Sequence, residues 1–243
     1  MARHSHWAKI KRAKGANDAK RGKLWSKIAR KIIIAARGGG DPRDNLSLRY
    51  VIDEARLANM PKDTIEKAIQ KGTGEAGAEN YEPATYEGYI GGIALMIEAL
   101  TNNRARTAPE VRSILEKHGA KMAPTGAAAK EFVRQGIISV KADAVEEDRL
   151  IELALEAGAE DVKSEGEVFE VVTTPADFLK VKDALAAAQV PIEDAEIANV
   201  PLNAIAVDAE AAAKIMRLVD ALEDNDDIQS VSHNAEMPES VEV

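Results

Sequence analysis

Cysteine is absent from the 243 residues, and this absence excludes disulfide bridges and thiolate metal sites. Histidine occurs only four times, so without cysteine, nucleophilic triads have little to be built from. Aromatic residues make up only 4% of the chain, so helices packed by small residues are expected. No apolar run approaches the ~20 residues that span a bilayer. The composition therefore predicts a soluble, non-enzymatic protein of the cytoplasm, with no catalytic residue, cofactor, metal or membrane partner.

The histidines and acidic runs that could form a metal site are scattered along the chain. His4 and His6 form an H-x-H pair without a third ligand close in sequence, and His118 and His233 are expected at the surface. The acidic run at residues 223–227 is predicted to be a solvated turn. A Mg²⁺-dependent nuclease that uses such late carboxylates is an alternative, although acidic runs at turns are usually solvated.

Charge is divided sharply along the chain. The first 37 residues contain twelve Lys/Arg and one acid, a net charge of +11, whereas the whole chain carries −9. Solubility alone is served by spreading charge, so a cationic block on an anionic body indicates a polyanionic partner. Nucleic acid is the expected partner, and the acidic remainder is expected to contact protein.

The charge pattern and a glycine-rich stretch divide the chain into domains. Residues 1–75, 76–138 and 139–243 carry net charges of +10, 0 and −19, and three glycines occur within residues 72–77, which is typical of a linker. We predict a basic helical domain over residues 1–75. A discontinuous α/β domain over 80–135 and 202–243 follows, with residues 136–201 inserted in it.

Periodicity predicts an α+β fold with an N-terminal helical bundle. Apolar residues at helical spacing predict three helices near its start, and Gly38-Gly39-Gly40-Asp41-Pro42 ends the first of them. These helices are Asp18–Arg37, Asn45–Ala58 and Pro61–Lys71.

The rest of the chain predicts two α/β domains. Two strands between Ala84 and Thr101 precede a helix over Thr107–His118. Residues 136–200 then follow a β-α-β-β-α-β order, which is that of a ferredoxin-like unit. Strands over 204–207 and 228–232, with a helix over 209–222 between them, are expected to complete the sheet that begins at residue 84.

Basic residues interleaved with tryptophan are the strongest functional signal, because phosphate pairing and aromatic stacking act together on nucleic acid. Trp25 lies near the apolar arc of its helix and is expected in the core, whereas for Trp7 exposure and burial both remain open. The predicted nucleic-acid-binding residues of this segment are Trp7, Lys9, Lys11, Arg12, Lys14, Lys20, Arg21, Lys23, Lys27, Arg30 and Lys31.

Arg104 and Arg106 form a second candidate site. They lie where a strand ends and a helix begins, so the helix N-terminus and two guanidinium groups are placed to hold a phosphate. A simple helix cap, with Asn103 or Thr107 as the capping residue, explains the same pattern, and both interpretations stay open.

Several blocks of the sequence resemble the YebC/PmpR family. The family's H-S-x-W-x-x-I-K-x-x-K segment corresponds to His4–Lys14. Further blocks agree in order along the chain: Asp18–Lys23, Gly38–Pro42, Asn59–Ile65, Tyr86–Tyr89 and Asn103–Thr107. The resemblance implies a helical N-terminal domain and two α/β domains, the third inserted in the second.

The resemblance also implies a function. Some members of the family resemble DNA-binding transcriptional regulators, and others resemble ribosome-associated translation factors. The second group includes a mitochondrial translational activator and bacterial factors that act at proline-rich stalls. We therefore expect a DNA-binding regulator of transcription, with binding to ribosomal RNA in the ribosome as the alternative.

Overall fold

A computed structural model of the chain describes residues 18–77 and 80–238. These residues form two compact units. The first contains the described residues up to 128 together with 210–233, and the second contains residues 129–209 with the described residues from 234 onward. The mixture of N-terminal helices followed by sheets and helices confirms the predicted α+β class. The division into three domains stays a prediction.

The first unit begins with three helices: α1 (Asp18–Ala36), α2 (Leu46–Leu57) and α3 (Lys62–Thr73). Their apolar faces meet in one core, which includes the buried Ile28, Ile32 and Leu48. Asn45 fixes the corner between α1 and α2. Its side-chain oxygen accepts a hydrogen bond from the backbone N–H of Leu48 at 3.0 Å, as an N-cap does, and its amide donates to the carbonyl of Ala35 at 2.8 Å.

Close packing of α1 against α3 depends on Gly72. A methyl group at this position would lie 2.5 Å from the carbonyl oxygen of Ile33 and 2.6 Å from the Cβ atom of Ala36. Only glycine therefore allows the two helices to approach this closely. Gly74, in the left-handed conformation at φ 88°, then ends α3.

An antiparallel sheet and two helices complete the first unit. The strands are β1 (Glu82–Ile90), β2 (Ile93–Thr101), β3 (Lys121–Ala123) and β9 (Ile228–His233), in the spatial order β3-β1-β2-β9. Helix α4 (Arg104–Lys117) connects β2 to β3, and α7 (Ala209–Glu223) precedes β9. The pairing of β9 with β2 confirms that the late strand completes the sheet begun near residue 84.

The Tyr86–Tyr89 block has a clear structural role in this sheet. The buried carboxylate of Glu87 accepts hydrogen bonds from the backbone N–H groups of Gly126 and Ala128, both at 2.6 Å. The hydroxyl of Tyr89 donates to the carbonyl of Ala127 at 2.7 Å. Two side chains of β1 thus hold the loop that follows β3.

The second unit contains a ferredoxin-like fold. Strands β4 (Phe132–Lys141), β5 (Asp161–Glu165), β6 (Val168–Thr173) and β7 (Ile192–Pro201) are antiparallel in the order β5-β6-β4-β7. Helices α5 (Glu147–Ala157) and α6 (Phe178–Ala187) are the two crossovers. This order is the one expected of the β-α-β-β-α-β unit, and it confirms the ferredoxin-like prediction.

One predicted strand is placed differently. The strand expected over residues 204–207 is β8 (Ile205–Ala206), and it pairs in parallel with β10 (Ala235–Glu236) rather than with the first sheet. Two residues offer too little pattern for the pairing partner to be inferred from sequence. The expectation that this strand completes the first sheet was therefore wrong.

Candidate nucleic-acid interface

Three of the predicted basic residues lie on one side of α1. Lys23, Lys27 and Arg30 are spaced by four and three residues, which places them on one helix face, and we call them the basic stripe. The acidic run Glu223–Asp227, which we call the acidic turn, lies against this stripe. The Nζ of Lys23 is 2.8 Å from a carboxylate oxygen of Asp224, and the Nζ of Lys27 donates to the carbonyl of Glu223 at 2.8 Å.

Arg30 is held at the inner end of the stripe. Its guanidinium group lies 3.1 Å from the carboxylate of Asp227, donates to the carbonyl of Asp226, and stacks over the ring of Tyr81. The Arg30 side chain is only 15% exposed. Arg30 is thus largely committed to partners within the first unit.

Asp227 is the centre of a buried polar cluster. It is 3% exposed, and its carboxylate accepts hydrogen bonds from the hydroxyl of Thr107 at 2.6 Å, from the hydroxyl of Thr101 at 3.1 Å and from Arg106 at 2.6 Å. Burial acts to raise the pKa of Asp227, but the hydrogen bonds from Thr107, Arg106 and Thr101 and the charge of Arg30 outweigh it. The pKa of Asp227 is therefore below its usual value, and the carboxylate is ionised at neutral pH.

Two predictions made from the sequence about the exposure of polar residues are wrong. The acidic run was predicted to be solvated, and this is wrong for Asp227, because cationic and hydroxyl donors from other elements compensate for its burial. His233 was predicted at the surface and is instead 7% exposed, at the end of the edge strand β9 where it pairs with Leu95 of β2. Neither Thr101 nor Thr107 was expected to form part of a polar cluster with Asp227, and no local sequence signal links residues more than a hundred positions apart.

Arg104 and Arg106 begin α4, as expected, and Asn103 is the capping residue. The side-chain oxygen of Asn103 accepts from the backbone N–H of Arg106 at 3.1 Å. Arg106 binds Asp227, and Arg104 lies 3.4 Å from Glu82. Thr107, the other capping candidate, is buried and donates to Asp227 instead.

The remaining described side chains of the predicted set, Arg21 and Lys31, contact other residues of the helical domain. Lys31 forms an ion pair with Glu54 at 2.8 Å. Arg21 is exposed and stacks over the Trp25 ring, 5.7 Å from its centroid. The indole N–H of Trp25 donates to the carbonyl of Ala58 at 2.9 Å, and its ring packs on the helical core. The core position expected for Trp25 is confirmed.

Five predicted binding residues lie outside the described part of the chain: Trp7, Lys9, Lys11, Arg12 and Lys14. The side chain of Lys20 is likewise not described. Their role in binding nucleic acid stays a prediction.

The described part of the chain contains neither a candidate metal site nor a helix that could span a membrane. Among residues 18–77 and 80–238, no group of three or more His, Asp or Glu side chains is arranged to hold a metal ion. Within the same residues, no helix has the length and apolar character needed to cross a membrane.

A family model described as the TACO1/YebC N-terminal domain matches residues 5–75, and one described as the TACO1/YebC second and third domain matches residues 81–235. The chain belongs to the TACO1/YebC family. The resemblance to YebC proteins inferred from short sequence blocks is thereby confirmed.

Relatives of known sequence and structure agree with this assignment. The chain is 49% identical to a "Probable transcriptional regulatory protein" of Rubrobacter xylanophilus, covering 99% of this chain and 98% of that protein. A protein of the same name from Treponema denticola is also 49% identical, over 100% and 99% of the two chains. The crystal structure of a conserved hypothetical protein from Aquifex aeolicus matches with a TM-score of 0.85 and 44% identity, covering 97% of this chain and 98% of that one.

Proposed function

We propose that this protein is a DNA-binding regulator of transcription that acts in the cytoplasm. The observation that carries the proposal is the net charge of +11 in the first 37 residues of a chain that carries −9 overall. The names of the relatives support the regulatory role. No catalytic residue is part of this proposal.

The proposed contacts are mainly electrostatic. Lysine and arginine bind phosphates without reading sequence, and they account for most nonspecific affinity. The exposed Arg21 stacks on the ring of Trp25, whose indole N–H is bound to the carbonyl of Ala58, and its guanidinium group is a cation that a phosphate can reach. Five of the twelve basic residues in the first 37 positions precede Asp18, and they add to this charge.

A translation factor that binds ribosomal RNA is the second candidate function. It is favoured by the net charge of −19 over residues 139–243, because a ribosome offers basic proteins as well as RNA phosphates. The basic N-terminal segment would then bind RNA phosphates, and the acidic C-terminal part would bind basic proteins.

Competition between the two targets tests the proposal. The full chain is bound to fluorescently labelled duplex DNA at physiological salt, and purified ribosomes or unlabelled nonspecific DNA are titrated in while anisotropy is followed. Retention on the duplex against both competitors supports the transcriptional function. Release by ribosomes at a far lower concentration than by nonspecific DNA, compared per mole of phosphate, supports the translational function.

A further inference from the structure

We infer that the basic stripe is a nucleic-acid-binding surface that the protein's own acidic turn fills, so that phosphates and the turn compete for the same cations. The inference rests on the proposed function, and it adds that affinity is limited from within the molecule. Every stripe residue contacts an oxygen of the turn. Lys23 contacts the carboxylate of Asp224, and Lys27 contacts the carbonyl of Glu223. Arg30 contacts the carboxylate of Asp227 and the carbonyl of Asp226.

The chemistry of the two ligands is the same. The turn presents a series of anionic and carbonyl oxygens along one helix face, and a nucleic-acid backbone presents a series of anionic phosphate oxygens. Lysine and arginine bind both kinds of oxygen through charge-assisted hydrogen bonds. The turn thus occupies these cations much as a bound strand would.

The contacts differ in how readily they are exchanged. Lys23 and Asp224 are 43% and 75% exposed, and exposed ion pairs are weak and screened by salt. Arg30 and Asp227 are 15% and 4% exposed, and Asp227 is held by further donors. Competition by nucleic acid therefore begins at Lys23, while Arg30 keeps the turn attached.

The test is the substitution Asp224→Asn in the full chain. It removes the partner of Lys23 at an exposed position, so the fold is preserved, and we expect the affinity for a labelled DNA duplex to rise roughly two- to fivefold, the range expected for an exposed ion pair. Asp226→Asn is the matched control. It makes the same charge change in the same turn, and within the described part of the chain the exposed Asp226 carboxylate forms no ion pair.

Repeating the measurement with Lys23→Gln isolates the pair. We expect Asp224→Asn to raise the affinity more than Asp226→Asn does, and this difference to vanish when Lys23 is replaced. Equal effects of the two turn substitutions, or a difference between them that persists without Lys23, would overturn the inference while leaving the proposed function intact. A wild-type chain that binds neither duplex nor ribosome would overturn both.

Discussion

At the scale of single residues, Asp227 connects several elements of the first unit, although its place in an acidic run indicates only a solvated side chain. It joins Arg30 of α1, Arg106 of α4 and Thr101 of β2 through one buried carboxylate. A buried charge is costly unless its partners have good geometry, and removal of one partner leaves the others uncompensated. The helical domain and the first sheet are thus connected by a contact that tolerates little change.

Replacing Asp227 by asparagine should destabilise the protein by about 3 kcal/mol, because two arginines lose their common anion and an amide N–H₂ faces cationic donors. Urea unfolding followed by circular dichroism measures this loss. Asp226→Asn, next in sequence with an exposed carboxylate, should change the free energy of unfolding by less than 0.5 kcal/mol in either direction, roughly the usual range for surface substitutions. Equal losses for the two variants would contradict the assigned role of Asp227.

The same carboxylate makes stability depend on pH. The pKa of Asp227 is lower in the folded state than its usual value, so its stabilising contribution is complete above the unfolded pKa of about 3.9. That contribution is lost as the pH falls through the folded pKa. The difference in free energy of unfolding between wild type and Asp227→Asn should therefore be constant from pH 7 to about pH 5 and shrink at lower pH. A difference that grows on acidification would show the opposite sign of the shift.

At the scale of elements, the contact between α1 and α3 depends on a residue without a side chain. Gly72→Ala should destabilise the helical domain by about 1–3 kcal/mol, the usual cost of overpacking, because its methyl group meets the backbone of Ile33. Gly22→Ala in α1 is the control. Nothing lies within 4 Å of the methyl group it adds, so the better helix propensity of alanine should stabilise the protein by up to about 1 kcal/mol. Thermal unfolding of both variants gives the comparison, and a stabilising Gly72→Ala would show that the helices are less closely packed than described.

Most elements could be predicted from sequence, and those that were missed share a physical cause. Long helices carry several turns of periodicity, and α1 begins at the predicted residue and ends one residue earlier than predicted. Helix α4 begins at Arg104 rather than Thr107, because the cap is Asn103. The three residues of β3 and the two of β8 carry too little alternation to define a strand or its partner.

At the scale of the whole molecule, the candidate site was only partly predictable. Charge counting finds the cationic segment because it is local in sequence. It does not find the partners of that segment, since Lys23 and Asp224 are separated by 201 positions and meet only after folding. The sequence thus indicates which residues are basic, and the structure shows which of them are already paired.

The residues before Asp18 should therefore dominate binding to nucleic acid. Replacing Lys9, Lys11, Arg12 and Lys14 together by glutamine should make the slope of log K against log salt less steep by roughly 3 to 4, if each contacts one phosphate. The control replaces four exposed lysines outside the predicted set, Lys62, Lys67, Lys117 and Lys121, by glutamine. Its slope should stay close to that of wild type, and an equal change in both variants would mean that total charge, not this segment, determines binding.

The most direct measurement is the salt dependence of wild-type binding to a labelled DNA duplex, followed by fluorescence anisotropy. If about six basic residues meet phosphates, log K should fall against log salt with a slope near −5. A slope near zero would contradict the central claim that the cationic N-terminal region binds the nucleic-acid backbone.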